Sequence, residues 1–446
     1  MDMDTTTHSE SRSTLHDSTR VKMVQLSGPI KIIIPVENYD NNKQHDCPEK
    51  TFDASEPCAS VSANNKTMIE QSDTSPIDEH DGGDYDETKD IDCNNPDDTV
   101  SSFCSYHPGN EILLKTFEEG TPIKAIIIKY FPATLSCCMV IRFVEPAIFN
   151  NTSQCVLKLY DRRFSTQHRD DWDAPSWTPE IEQQYNDFID CGDAEEFFSY
   201  WDAEKERDDY WSAAYIDNRD RWSAAKREAY LQWDSTVTYE TEKKAYERMS
   251  RLQGEDVPKV FGEVLLDQPS MSKEHQDDEE ATEIDTRIFS IPGILIQYID
   301  GFHLTDLHKH YPSEHWQSTV DSAVKALSNI QDCGILNRDV NTRSFIVDPL
   351  SHKVMMIDFG MVCFREDAEG DRQWEELQAN QDEQGAVSMV MKSYLKRDIG
   401  VSIVNKCTER ALRLAWRFNQ ESGENEGGTE EEDEYVRQNK DVMIVE

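Results

Sequence analysis

Two carboxylates carry the chemistry that this chain can be read for. Asp339 ends the triplet Asn337-Arg-Asp339, and Asp358 opens Asp358-Phe-Gly360. Between them lie Phe345-Ile-Val-Asp and Val354-Met-Met-Ile, two apolar runs separated by Pro349-Leu-Ser-His. Such runs around a turn read as a β-hairpin, and a hairpin returns its ends to one edge. Asp339 and Asp358 should therefore meet. Paired carboxylates suit a metal ligand beside a general base. Gly360 would let the backbone turn sharply after the metal ligand.

Other elements must position this edge. Residues 123–130 and 138–144 are apolar, β-branched runs joined by Phe131-Pro-Ala-Thr-Leu-Ser, and they read as a hairpin. A third strand follows at 155–160, a fourth at 257–266 and a fifth at 293–299, closed by Asp300-Gly301. Residues 165–238 form a helical insertion rich in Trp, Glu and Arg, with Phe197, Trp201, Tyr210, Trp211 and Trp222 expected to pack over the sheet. A helix over 239–252 ends before Gly254, a suitable C-cap. In 312–332, Trp316, Val320, Val324, Leu327 and Ile330 recur at helical spacing. Helices at 384–395 and 406–418 complete the order. Strands and helices segregate, so the fold class is α+β with two lobes. The expected divisions are a mostly disordered acidic region at 1–110 (with one strand-like run at 22–36), a first lobe at 111–299, a reduced helical lobe at 300–420 and an acidic tail at 421–446.

The chain of 446 residues carries 45 Lys+Arg against 88 Asp+Glu, a formal net charge of -43. Such a charge repels nucleic acid and anionic lipid. Any phosphate must be held by local cations and a metal. No stretch is long and apolar enough to span a membrane. Residues 1–20 are acidic and Ser/Thr-rich, unlike a secretory signal. The eleven cysteines have no repeated spacing, so reduced thiols in an intracellular, cytoplasmic protein are expected. His303, His308 and His310 fall within eight residues, read as a polar turn before a metal cluster.

Six segments occur in an order that resembles the protein-kinase superfamily: Val156-Leu-Lys-Leu-Tyr-Asp, Glu242-Lys-Lys-Ala-Tyr, Leu252-Gln-Gly-Glu-Asp-Val-Pro, Ile294-Leu-Ile-Gln-Tyr-Ile-Asp-Gly, Gly334-Ile-Leu-Asn-Arg-Asp-Val and Ile357-Asp-Phe-Gly. The likeness is to short kinase-like proteins of filamentous fungi, with an aminoglycoside-phosphotransferase flavour. It implies a bilobal kinase-like fold with a five-stranded first lobe, ATP and Mg2+ as cofactors, and a hydroxyl acceptor on a protein or small molecule. By the same resemblance, Lys158 reaches the α- and β-phosphates and Glu242 pairs with it. Gln297, Tyr298 and Ile299 form the hinge for adenine. Asp339 orients or deprotonates the acceptor, and Asp358 holds magnesium. For Glu242 the residues argue independently: Ala245, Tyr246 and Met249 put it on a buried stripe, whereas Glu240 and Glu247 fall on other faces.

The departures are specific. The turn Phe131-Pro-Ala-Thr-Leu-Ser-Cys-Cys contains no glycine. The hydroxyls of Thr134 and Ser136 facing phosphate and an ordinary β-turn are both open for it. Ser344 stands where the family has a metal-binding Asn, and its hydroxyl is a shorter ligand. Asn337 replaces an architectural His. No Ala-Pro-Glu follows, and Arg365 is available to anchor the segment after Gly360. Phosphoryl transfer and a nucleotide- or partner-binding scaffold without catalysis therefore both remain, with a purely acidic interaction protein a third reading.

Overall fold

The computed structural model describes residues 104–145, 152–205, 221–267, 287–404, 412–413, 416–417 and 429–439. Strands β1 (Glu111–Thr116), β2 (Pro122–Tyr130), β3 (Cys137–Phe143), β4 (Gln154–Leu159), β5 (Val260–Leu266) and β6 (Pro292–Ile296) form a closed barrel in the order β1-β2-β3-β4-β6-β5. The period of two along each strand fills its interior. Ile123, Ala125 and Ile127 of β2 point inward with Met139, Ile141, Leu157 and Leu295. The five strands expected from sequence are thus six. The additional strand is β1, which pairs β2 on one side and β5 on the other. Only Ile112 and Leu114 of its six residues are fully buried, too short an alternation to stand out beside the nine-residue β2. Cys104 and Tyr106, ahead of it, are buried in the same core.

The segment after β4 carries α1 (Thr166–Asp171), α2 (Pro179–Asp190), α3 (Asp193–Lys205) and α4 (Ala224–Arg248). The sequence divides an insertion from a helix near 239; the structure runs one 25-residue helix through that boundary. Its length is about 37 Å. Ser223 opens it by accepting from Lys226 N, and no Gly or Pro interrupts it. Of the aromatic residues expected to pack over the sheet, Phe197, Trp201 and Trp222 do not, whereas Trp177 of the same segment does meet the barrel core. Tyr185, Phe198, Trp201, Tyr230 and Trp233 make a separate aromatic core between α2, α3 and the first half of α4. Period-3.6 aromatics find each other more readily than a barrel wall already filled from inside. Tyr210 and Trp211 lie outside the described residues.

Beyond β6 come β7 (Phe302–His303), α5 (Trp316–Gln331), β8 (Ile335–Asn337), β9 (Phe345–Val347), β10 (Val354–Met356), β11 (Val362–Phe364), α6 (Asp371–Gln381) and α7 (Glu383–Ile399). The β9–β10 hairpin forms as read, and β7 joins its far side. On α5 the buried stripe is Trp316, Val320, Ala323, Leu327 and Ile330. Val324 sits at its margin. One hydrophobic cluster joins Tyr160, Ile294 and Ile296 of the barrel side to Tyr246 of α4, to α5 and to the hairpin. That continuity makes the division into two lobes less clean than expected. The reading at 22–36 and most of that at 406–418 lie outside the described residues; in the tail, 429–439 is helical. Among the described residues no helix is long and apolar enough to cross a membrane.

The sixth strand is testable by a pair of substitutions. Leu114 is 1% exposed and Leu113 51% exposed. Leu114→Ala should lower the unfolding free energy by about 2–5 kcal/mol, and Leu113→Ala by less than about 0.5 kcal/mol, measured by urea denaturation. Equal effects would contradict the register of β1.

Candidate functional site

Lys158 lies near the end of β4, where Leu157 and Leu159 fill the barrel and the lysine takes the other face. Its Nζ donates to Glu242 Oε2 at 2.6 Å and to Asp358 Oδ1 at 2.8 Å. Glu242 is on the buried side of α4 with Ala245, Tyr246 and Met249, while Glu240 and Glu247 are exposed, as the helical spacing requires. A third group was not anticipated: Tyr160 donates its hydroxyl to the same Glu242 Oε2 at 2.6 Å. The signal was present, because residues two apart in an extended chain share a face. Glu242 Oε1 is buried without a hydrogen-bond partner.

The structure brings the hairpin ends together around Asn337. Its side-chain amide donates to Asp358 O at 2.9 Å, and its Oδ1 accepts from Asp339 N at 2.9 Å. Its own N–H is held by Glu383 Oε1 at the start of α7. One side chain therefore ties both aspartate segments. Glu383 went unrecognised, since an acidic residue opening a helix reads as an ordinary first-turn charge. The sharp turn falls at a different residue from the one expected. Asp358 itself has φ 72°, a left-handed conformation that Asp adopts more readily than most. Gly360 is required for closeness instead: a methyl there would stand 2.7 Å from Thr238 Cγ2 on α4. Phe359 is fully buried with its ring 5.3 Å from that of Tyr246.

The segment that follows is fixed to the same helix. Glu366 pairs with Lys244 at 2.9 Å and with Arg248, and both cations lie over the Phe364 ring. Although partial burial opposes it, these cations bring the Glu366 carboxyl down to about 2. Arg365 pairs with Asp371 and donates its N–H to Gly334 O.

Asn341 caps the turn before β9: its Oδ1 accepts from Arg343 N and Ser344 N. Ser344 is buried, and its carbonyl receives Ile357 N at 2.8 Å, next to Asp358. In the segment expected to be a hinge, Gln297 lies just beyond β6 and gives its N–H to Lys259 O, while Ile299 O accepts from Gly301 N. Tyr298 OH reaches Asp300 Oδ1 at 3.4 Å. The three histidines part company: His303 bonds Arg343 O, His308 faces Tyr394, and His310 stacks on Phe302. Among the described residues no cluster of His, Cys, Asp and Glu forms a metal group.

Burial works against the Lys158 ammonium, but Asp358 and Glu242 reverse it and hold the pKa well above the ordinary value. The Lys158 charge holds Asp358 below the usual carboxylate range, against the desolvation that flanking protein imposes on a side chain whose surface is half open. Asp339 moves the other way. Although its surface is open, flanking protein withholds water and raises its pKa, and the Asp358 charge adds to this against Arg343. For Asp358 the stability gain is present above the unfolded pKa of about 4 and is lost as pH falls through the lowered folded value. For Asp339 the sign is opposite: ionisation is disfavoured in the folded state, so its cost appears as pH rises above about 4.

No protein-family model matches the chain. A 71-residue stretch, 15% of the chain, is 31% identical to a probable serine/threonine-protein kinase, fnkB, of Dictyostelium discoideum. The chain spans 13% of that relative's length. That stretch is weakly similar to a protein kinase. Solved structures similar to it include the PknI kinase domain of Mycobacterium tuberculosis, at 12% identity and TM-score 0.29, covering 64% of this chain and 76% of that one. A double-mutant form of the same domain matches at 12% identity and TM-score 0.29, over 70% and 95%. The described residues form an α+β fold, and the similarity to a protein kinase extends over those 71 residues.

Two measurements check the electrostatics. Asp339→Asn should raise the thermal midpoint at pH 7, and the gain should vanish below about pH 4, where the native carboxyl is also neutral. Tyr160→Phe removes a donor to a buried carboxylate and should cost about 1.5–3 kcal/mol in urea denaturation.

Proposed function

We propose that the chain binds Mg-ATP between Lys158, Glu242, Asp358 and the hinge 297–299, and transfers the terminal phosphoryl group to a hydroxyl on a protein or small molecule. The observation that carries this reading is the convergence of one ammonium and two carboxylates from positions up to 200 residues apart. The donor set fits the ligands. Asp358 uses Oδ1 for Lys158, and its side chain is 50% exposed, which leaves carboxylate surface for a hard cation. When bound, magnesium would neutralise charge on the transferred group.

The chain's own residues divide the remaining work. Lys158 holds phosphate oxygens, oriented by Glu242, which Tyr160 in turn holds. Asp339 receives or orients the acceptor hydroxyl, and its raised pKa makes it a better base than a free Asp. Asn337 keeps the spacing of the two aspartates. Binding and alignment provide most of the rate in such chemistry. The short segment after Gly360 lacks an Ala-Pro-Glu platform, in keeping with the fungal and aminoglycoside-phosphotransferase-like likeness and with a small or locally docked acceptor. Free thiols at all seven described cysteines suit an intracellular setting.

A second reading, a nucleotide-binding scaffold without turnover, is favoured by Ser344 and by the capping role of Asn341, which leave no amide oxygen at the second-metal position. Thermal shift with Mg-ATP, combined with a phosphotransfer assay, separates the two. At a hundred times the dissociation constant, ligand should add about 2.7 kcal/mol of stability. The gain should disappear in Lys158→Ala and Asp358→Ala. Asp339→Ala should keep binding and reduce transfer by about 100-fold or more. Turnover in Ser344→Asn but not in the native chain would establish the scaffold; no shift in the native chain would end both readings.

A further inference from the structure

The glycine-free turn after β2 is held from outside. It closes on itself through Phe131 N to Cys138 O at 3.0 Å and Thr134 N to Ser136 O at 3.2 Å. None of its residues has a positive φ. Its far end borders the site: Cys138 is the register partner of Lys158, and Ser136 Oγ lies 3.6 Å from Cys138 Sγ. On its outer side, Thr166 Oγ1 donates to Ala133 O at 2.8 Å, and His168 N donates to Thr134 O at 3.4 Å. Both donors belong to α1, the first turn of the insertion. The His168 ring is buried against α4, with Nε2 2.8 Å from Asp234 Oδ2 and Nδ1 3.4 Å from Ser235 Oγ. Glu242 stands two helical turns further along that helix.

We propose that Thr166 and His168 are positioning residues that fix turn 131–136 for the nucleotide phosphates, replacing the adaptability of glycine with an external brace. This rests on the nucleotide reading given above. A planar trans peptide points its C=O and N–H in opposite directions. Drawing the Thr134 carbonyl to α1 therefore turns the Leu135 N–H away from α1, fixing the side on which a phosphate oxygen can be met. Glycine lets a loop find that orientation by moving; here two hydrogen bonds hold it before ligand arrives. The insertion, α4 and the turn then form one hydrogen-bonded unit around Lys158.

The test uses the full chain with Thr166→Val, Thr166→Ser and His168→Asn. Amide exchange over 131–138 is measured without ligand, and Mg-ADP and adenosine are titrated by calorimetry. Thr166→Val, which removes the side-chain bond to Ala133 O, and His168→Asn, which keeps the backbone N–H but removes the ring contacts that seat it on α4, should speed exchange in the turn and weaken Mg-ADP about threefold to tenfold, the scale of one hydrogen bond. Adenosine, which has no phosphate, should bind as in the native protein, and Thr166→Ser should restore both readouts. Unchanged exchange, or equal weakening of Mg-ADP and adenosine, would overturn the brace. A native chain that binds neither ligand would remove the nucleotide reading instead. Exchange needs no ligand and would still decide whether the brace exists. Thr166 is on the surface, so its variants keep the test valid if His168→Asn does not fold.

Discussion

A buried ammonium shared by two carboxylates is the constraint around which the described structure is arranged. Lys158 is 10% exposed at its side chain, and Glu242 is almost fully enclosed. Removing such charges from water costs several kcal/mol per ion unless their geometry is good. Three elements must therefore arrive together: β4 with the lysine, α4 with the glutamate and the end of the β9–β10 hairpin with the aspartate. The hydroxyl of Tyr160 adds a second donor to the oxygen that Lys158 already uses. Glu242 Oε1, by contrast, is buried without a hydrogen-bond partner.

The elements around this pair relieve or transmit its demands. Asp358 takes a left-handed backbone so that its carboxylate reaches Lys158 while Phe359 enters the core. Gly360 allows that segment to lie against Thr238 of α4. Asn337 and Glu383 hold the neighbouring segment by bonds to backbone, which specify position more tightly than exposed ion pairs. The pairs of Glu366 with Lys244 and Arg248 are half-exposed, and they add orientation to a contact already set by packing.

Much of this was legible in the chain. The hairpin that unites Asp339 and Asp358 followed from two short apolar runs and a turn. The burial of Glu242 followed from Ala245, Tyr246 and Met249 at helical spacing. What escaped notice was non-local. Strand β1 gains its place by closing a barrel, and nothing in six residues announces closure. The boundary assigned within α4 failed because its two halves bury different residues against different partners, although the backbone continues unbroken. The role of Tyr160 was one step from the motif that contains it, and Glu383 could be recognised only once β8 was seen to lie beside it. The brace from Thr166 and His168 to the turn joins positions about thirty residues apart through backbone carbonyls, which leave no trace in side-chain pattern.

Closure of the barrel has a consequence for how other molecules could approach it. An open sheet offers a free row of N–H and C=O groups to which a stranger's extended segment can add itself. Here β1 occupies that row on β2 and on β5 alike. An extended segment seeking a strand to pair with therefore meets rows that β1 already uses along 122–126 of β2 and 264–266 of β5.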